Sequence, residues 1–257
     1  MVRAPQYPVP ALEKGLDLLE ALAAAAVPLS LAELASRLGR SSSELFRMLN
    51  CLEVRGYISR DDVSGKYGLT LRLYVLAHTH GVTEKLLQAA RRPMQALTET
   101  FRESCHLSVL DQDQLVVVAQ QESPERVRLS IEVGAVFDPV ATASGRLLLA
   151  GLPPDRREEV LDTSAAAARL SARGRADLGR KLDAIRESGV SVAESETIEG
   201  VHDLAVLVGQ PESGVTAALA VTRLLRRGGA GEDPSLTEGM QRAAATITRS
   251  LGLESIL

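Results

Sequence analysis

Apolar residues recur at helical spacing in three short segments near the N-terminus of the chain. Spacings of i, i+3, i+4 and i+7 place such residues on one face of a helix. The stripes run through Leu12, Leu16, Leu19 and Ala23, through Leu31, Leu34, Ala35 and Leu38, and through Leu45, Met48, Leu49 and Leu52. The pattern predicts three short helices, the first of which stops near Pro28.

The second and third helices have well-marked ends. Ser30 and Glu33 have the S-x-x-E spacing of a capping box, and Ser41 and Glu44 repeat it. Gly39 stands where a left-handed residue ends a helix. Two capped helices joined by a tight turn predict a helix-turn-helix, whose second helix can enter the DNA major groove.

A β-hairpin is predicted directly after this motif. Residues 57–59 and 66–69 have strand character, and the turn residues Asp61, Asp62, Ser64 and Gly65 separate them. Two capped helices alone also occur in many all-α proteins. A hairpin in this position is typical of a wing and favours the DNA-binding interpretation.

Charge narrows the choice of DNA contacts. Residues 1–70 contain eight Lys or Arg and eight Asp or Glu, so a phosphate-binding face must come from segregated charges. Arg47 could pair with a guanine edge or with a phosphate, and Glu44 could accept from cytosine or serve only in the cap. The candidate DNA contacts are Arg40, Ser42, Ser43, Glu44, Arg47, Arg60 and Lys66.

The pattern changes after residue 102. A linker helix over 71–83 and a longer helix over 84–102 precede β-like runs at 106–110, 115–120, 127–133, 190–193, 204–208 and 215–222. Helical patterns fill 145–150, 155–161, 177–188 and 236–251, whereas 164–176 is interpreted as a helix end or loop. Hairpin-linked strands with helices around them predict an α+β domain with an antiparallel sheet.

Composition excludes several classes of protein. The chain has 257 residues, of which 45% are hydrophobic, enough for the cores of one large or two ordinary domains. Its net charge of −4 excludes a polybasic protein. The chain has only two cysteines, Cys51 and Cys105, and Cys51 lies within the predicted third helix. A disulfide framework is therefore not expected. No signal-peptide pattern and no apolar run of about 20 residues is present, so a cytoplasmic protein without a membrane partner is expected.

Several strings of residues, in order, resemble the IclR-type bacterial transcriptional regulators along almost the whole chain. They are LAELASRLG, FRMLNCLEVRGYISRD, SGKYGLTLRLYVLA, CHLSVLD, PVATASGRLLLA, GVSVAESETIEGVHDLAVLV and GVTAALAVT. The resemblance implies a winged helix-turn-helix domain (1–70), a linker helix (71–83) and a GAF-like effector-binding domain (84–257). It also implies a homodimer or tetramer that binds a double-stranded DNA operator, responds to a small metabolite and carries no cofactor. Repression of a catabolic operon is the commonest pattern in the family.

The resemblance further implies that three segments form the effector pocket. Small residues at 141–145 would let a ligand approach the N–H groups at a helix N-terminus, a ready site for a carboxylate. Thr142 and Ser144 could instead only cap that helix. A polar loop over 193–203 and alternate residues of one strand complete the pocket. The candidate effector contacts are Leu129, Thr142, Ala143, Ser144, Ala193, Glu194, His202, Asp203, Ala220 and Thr222.

The chain departs from the family at the predicted pocket floor. Many members have Arg-Cys where this chain has His202-Asp203, an acidic pair where it has Ala193-Glu194, and Ser where it has Ala220. Successive strand residues point oppositely, so one of His202 and Asp203 is expected to face the pocket, and Asp203 is favoured. An acid there would select hydroxyl, amine or amide groups on a polar organic acid or related metabolite.

Three other functions compete with this interpretation. Cys105 and His106 suggest a thiol enzyme, but neighbours on a strand face opposite sides and cannot pair directly. A metal-responsive regulator could use His106, His202, Asp203 and Glu194, but no tight ligand spacing supports it. A ligand-binding module without DNA recognition is the third alternative. We therefore expect neither catalysis nor a metal site.

Overall fold

The chain divides into two compact units, Met1–Gly81 and Val82–Leu257. The computed structural model describes residues 9–25, 27–78, 82–194, 200–211, 215–224 and 233–253. In these ranges no helix is both long enough and apolar enough to cross a bilayer.

The first unit is a winged helix-turn-helix, as predicted. Its elements are α1 (Pro10–Ala23), α2 (Leu31–Leu38), α3 (Ser42–Val54), β1 (Ile58–Arg60), β2 (Tyr67–Leu69) and α4 (Arg72–His78). Leu18, Leu34, Leu45 and Leu49 are fully buried together, and Ile58 from the wing joins the same core. The apolar stripes predicted for α2 and α3 therefore meet in the core. The stripe predicted for α1 was wrong: Leu12 and Leu16 are exposed, and α1 buries the face with Leu18, Ala21 and Leu22 instead, because that face packs against α2 and α3.

Local capping fixes where α2 begins and ends. The Ser30 hydroxyl accepts from the Glu33 N–H at 3.3 Å, and the Glu33 carboxylate accepts from the Ser30 N–H at 2.6 Å. Gly39 ends the helix with a φ of 62°, a conformation that favours glycine. The wing, defined as β1, β2 and the turn between them, is antiparallel with Ile58 opposite Leu69.

The second unit is built on a six-stranded antiparallel sheet of order β5-β4-β3-β8-β7-β6. Its strands are β3 (Cys105–Asp111), β4 (Gln114–Gln121), β5 (Val136–Phe137), β6 (Val190–Glu194), β7 (Val201–Gln210) and β8 (Val215–Leu224). Its helices are α5 (Val82–Phe101), α6 (Ala143–Ala150), α7 (Pro154–Thr163), α8 (Ala165–Ala168), α9 (Ala172–Ser188) and α10 (Pro234–Ser250), with a 3₁₀ turn at Pro139–Ala141. The predicted α+β class is confirmed.

Each face of the sheet carries its own apolar layer. Leu219 and Val221 of β8 pack with α5 and α10, whereas Ala218 and Ala220 face α6. Because alternate strand residues point to opposite faces, one strand supplies large residues to one layer and small residues to the other. The alanines leave room for α6 and for the cavity described below.

Three predictions from the sequence were wrong in this unit. Residues 164–176, interpreted as a helix end or loop, contain α8 and the start of α9. Residues 127–133 form no strand; the segment that follows them takes the edge of β4, where the Gly134 N–H donates to the Val117 carbonyl at 2.8 Å. The two ends of the predicted polar loop over 193–203 are instead strand, at 193–194 and 201–203, with Ala193 opposite Asp203 and Glu194 opposite His202. Residues 195–199 of that loop lie outside the described residues.

Candidate functional site

The outward side of α3 is an exposed surface of mostly polar residues. Leu45 and Leu49 point into the core, so the opposite side of the helix is exposed. We call this surface the recognition face, and its residues are Ser42, Ser43, Phe46, Arg47 and Asn50. Arg47 makes no hydrogen bond or ion pair with the described part of the chain, so its guanidinium is available to a ligand.

Arg40 and Glu44 are engaged within the unit. The Glu44 carboxylate contacts the Lys14 ammonium and lies 3.6 Å from Arg40, which also pairs with Asp17 at 3.0 Å. The hydrogen bond from Lys14 holds the pKa of Glu44 below its usual value. The Ser41 hydroxyl accepts from the Glu44 N–H at 3.3 Å. These charges fasten the start of α3 to α1.

The two candidate cations of the wing are also held in place. Arg60 Nε donates to the Gly65 carbonyl at 3.3 Å, and its guanidinium lies 5.6 Å from the centre of the Tyr67 ring. Lys66 pairs with Glu33 at 3.5 Å. Both side chains keep solvent-exposed surface. They are thus oriented by the fold and still able to meet a phosphate.

A cavity of 520 Å³ lies in the second unit beside the start of α6. Its lining comprises His106, Leu115, Val117, Leu129, Ser130, Ile131, Glu132, Ala135, Phe137, Ala141, Thr142, Ala143, Ser144, Val201, Asp203 and Thr222. Of the candidate effector contacts, Leu129, Thr142, Ala143, Ser144, Asp203 and Thr222 are brought together here.

The other candidate contacts lie elsewhere. Ala193 and Ala220 pack in the apolar layer under α6. His202 is absent from the lining, because it points away from the face that carries its neighbour Asp203. The side chain of Glu194 lies outside the described residues.

The N-terminus of α6 supplies hydrogen-bond donors to the cavity. The Thr142 hydroxyl accepts from the Gly145 N–H at 3.0 Å and so caps the helix. Ser144 is only 3% exposed, and its hydroxyl has no hydrogen bond with the described residues. A Cβ at Gly145 would lie 2.2 Å from the Pro139 carbonyl oxygen, so glycine is required for this close approach.

Asp203 brings a half-buried carboxyl group to the same cavity. The Thr222 hydroxyl donates to Asp203 Oδ1 at 2.6 Å. Burial raises the pKa of Asp203, while the hydrogen bond from Thr222 and the charge of Arg146 act in the opposite direction. This carboxyl group can therefore form a hydrogen bond with a polar group of a ligand.

His106 also lines the cavity, although the sequence pattern did not predict it as an effector contact. The residue is 8% exposed, and burial lowers the pKa of its imidazole to about 4. It has no hydrogen bond with the described residues, so a neutral donor and acceptor face the cavity. The alternation of β3, with Cys105 and Leu107 in the α5 layer, was the signal that could have found it.

Cys105 and His106 do not form a catalytic pair. The Cys105 thiol is buried in the core beside Thr98 at 3.4 Å, and burial raises its pKa to about 11. A neutral thiol on the opposite face of the strand from the imidazole is not an activated nucleophile. Within the described ranges, no three His, Cys, Asp or Glu side chains cluster as metal ligands.

Burial of the neutral His106 imidazole predicts a loss of stability in acid. Its pKa is lower in the folded protein than the ordinary 6.5, so below pH 6.5 the unfolded chain binds more protons. We expect this residue to lower the free energy of unfolding by about 2 kcal/mol between pH 8 and pH 5. The raised pKa of Asp203 acts in the opposite direction.

Denaturant unfolding of the wild type and of His106→Gln at several pH values measures this contribution. The variant lacks the titrating group but retains a neutral polar side chain. Its stability should fall less steeply from pH 6.5 to pH 4.5, and parallel curves for the two proteins would contradict the prediction.

Two family models together match most of the chain. The model of the IclR helix-turn-helix domain matches residues 11–62, and that of the bacterial transcriptional regulator IclR C-terminal domain matches residues 79–249. The chain belongs to the IclR family. It is therefore a DNA-binding transcriptional regulator, and the family resemblance in the sequence is confirmed.

Similar IclR-family proteins span nearly the same length. The HTH-type transcriptional regulator XynR of Escherichia coli is 27% identical over 248 residues, covering 95% of this chain and 98% of that protein. The glycerol operon regulatory protein of Streptomyces coelicolor is 28% identical, covering 95% and 97%. HTH-type transcriptional regulator Rv1719 of Mycobacterium tuberculosis is 32% identical, covering 72% and 71%.

Solved structures show the same fold. An IclR homolog from Microbacterium hydrocarbonoxydans, complexed with 4-hydroxybenzoate, has a TM-score of 0.79 and 24% identity, covering 94% of this chain and 99% of that one. An IclR transcriptional regulator from Alicyclobacillus acidocaldarius has a TM-score of 0.74 and 25% identity, covering 96% and 100%.

Proposed function

We propose that this IclR-family regulator is a cytoplasmic repressor of a catabolic operon and that a small metabolite in the 520 Å³ cavity controls its affinity for the operator. The observation that carries the DNA part is the exposed recognition face with an available Arg47. Names of relatives support the type of regulon, among them the glycerol operon regulatory protein of Streptomyces coelicolor and the repressor AllR of Klebsiella pneumoniae.

Operator binding would use α3 in the major groove and the wing against the backbone. Ser42, Ser43 and Arg47 are the proposed base-facing residues, because N-terminal residues of a recognition helix usually reach base edges. Arg60 and Lys66 are the proposed phosphate contacts. Arg40 and Glu44 are proposed to act mainly by positioning α3, since their charges are already paired.

The regulator is proposed to bind as a homodimer or a tetramer. A symmetric dimer would present two copies of α3 to successive major grooves about 34 Å apart. Exposed leucines on and beside α4 support association, since Leu71 is 76% exposed and Leu76 is 51% exposed. Light scattering on the full chain tests this, and a monomer that binds DNA specifically would contradict it.

The effector is proposed to be a polar organic acid with one carboxylate and a hydroxyl or amine group. In the described part of the chain, no Lys or Arg is among the residues that line the cavity, which include Glu132 and Asp203. A single carboxylate is best accommodated by the N–H groups at the start of α6 and by Ser144. Asp203 and His106 would accept and donate hydrogen bonds at the other polar groups.

Asp203→Asn tests this assignment of the effector class. Calorimetry with simple monocarboxylates, hydroxy acids and amino acids should show that wild type prefers the hydroxy or amino compounds. In the variant, the ratio of the affinity for hydroxy or amino compounds to that for simple monocarboxylates should be about tenfold smaller, because a carboxyl acceptor is replaced by an amide. Equal binding of simple carboxylates and hydroxy acids to both proteins would contradict the proposal.

Release of the operator is the functional readout. A metabolite that binds the cavity should weaken DNA binding only if it favours the arrangement with low operator affinity. We expect this effect in a gel-shift titration on DNA upstream of the gene. A bound metabolite with no effect on operator affinity would overturn the regulatory part of the proposal.

A further inference from the structure

We infer that Phe46 reads the methyl group of a thymine in the operator, so that each half-site contains a base pair recognised by apolar contact. The inference rests on the proposed binding of α3 in the major groove. Phe46 is 52% exposed although it lies one residue after the fully buried Leu45. Its ring is therefore directed outward, away from the core of the first unit.

The neighbours of Phe46 are polar and belong to the recognition face. Ser42 and Ser43 precede it by one turn, and Asn50 follows it by one turn. An aromatic ring among such residues leaves apolar surface in water, which binding of a suitable partner would remove. Phe46 thus stands near the centre of the face that is proposed to enter the groove.

Major-groove chemistry identifies the partner. The thymine methyl is the apolar group among the base edges in that groove, and Phe is one of the residues that contact it. Asn50 also favours A·T pairs, because an amide side chain can form hydrogen bonds with adenine N6 and N7 together. Phe46 and Asn50 lie one turn apart, so both can read A·T pairs near a guanine contacted by Arg47.

Removing single methyl groups from the operator tests the inference. The probe is the duplex that wild-type protein enriches from a random library, with each thymine replaced in turn by deoxyuridine. One position in each half-site should weaken wild-type binding by about fourfold, the value expected for burial of one methyl group. Replacement by 5-bromodeoxyuridine, whose bromine resembles a methyl in size, should restore the affinity.

Phe46→Ala supplies the second arm of the test. The variant should bind the thymine and deoxyuridine duplexes equally, because the group that senses the methyl is gone. Phe46→Leu should retain part of the discrimination. Val127→Ala removes another exposed apolar side chain, 80% exposed in the second unit, and should behave as wild type.

The possible outcomes separate the two proposals. If no sequence is enriched, the proposed operator binding fails and this inference fails with it. If a sequence is enriched but no methyl matters, or the same methyl matters equally in Phe46→Ala, only the role of Phe46 is overturned. A change of oligomeric mass in Phe46→Ala with unchanged methyl dependence would assign Phe46 to a subunit interface and also overturn the inference.

Discussion

Arg47→Ala is expected to weaken operator binding by about 5- to 150-fold in each half-site, the range for loss of one bidentate contact to a guanine. Arg47 is exposed on the recognition face and makes no ion pair with the described residues, so its loss should leave the fold intact. Anisotropy titrations at one fixed salt concentration measure the effect. Thermal unfolding should be unchanged.

Two other arginine variants show whether the effect is specific. Arg173→Ala removes one exposed positive charge from α9 and should leave operator affinity unchanged. Arg40→Ala should weaken binding less than Arg47→Ala, since Arg40 is paired with Asp17 and Glu44. Equal losses for operator and scrambled DNA in Arg47→Ala would reassign this residue to a phosphate contact.

Gly145→Ala is expected to destabilise the second unit by about 3 kcal/mol and to abolish effector binding. The added Cβ would lie 2.2 Å from the Pro139 carbonyl oxygen, so the 3₁₀ turn and α6 must move apart. That movement displaces the donors at the start of α6, which line the cavity. Calorimetric titration and denaturant unfolding measure the two losses.

Gly179→Ala is the matched control for this substitution. Gly179 lies within α9, and a Cβ there would meet no atom within 4 Å. Alanine should therefore stabilise the helix by about 0.5–1 kcal/mol and leave effector binding unchanged. Unaltered effector binding and stability in Gly145→Ala would show that the approach of Pro139 does not shape the cavity.

Local sequence signals were sufficient to predict α2, α3 and the wing, but not which face of α1 is buried. Ser30, Glu33 and Gly39 fix the ends of α2 through contacts within a few residues, and the predicted capping box is present. The interaction of Glu44 with Lys14 joins residues thirty positions apart, and nothing in the local pattern distinguishes it from a simple cap. Pairings between helices depend on packing that short-range spacing does not specify.

The cavity could be predicted only in part for the same reason. Thr142, Ser144 and Asp203 followed from the family resemblance. Alternation along the strand predicted only that one of His202 and Asp203 faces the pocket, and the lining includes Asp203. The strand predicted over residues 127–133 is absent, and the consecutive residues Leu129, Ser130 and Ile131 line the cavity instead. A strand requires a free edge as well as a pattern, and the segment after 133 occupies the edge of β4.

Selection from a random duplex library with the full-length protein tests the central claim most directly. The enriched duplex and a scrambled duplex are then titrated at the same salt concentration. The account predicts a two-fold symmetric sequence bound at least about 10³-fold more tightly than the scrambled one. Equal affinity for the two duplexes, from folded protein, would contradict sequence-specific regulation by this chain.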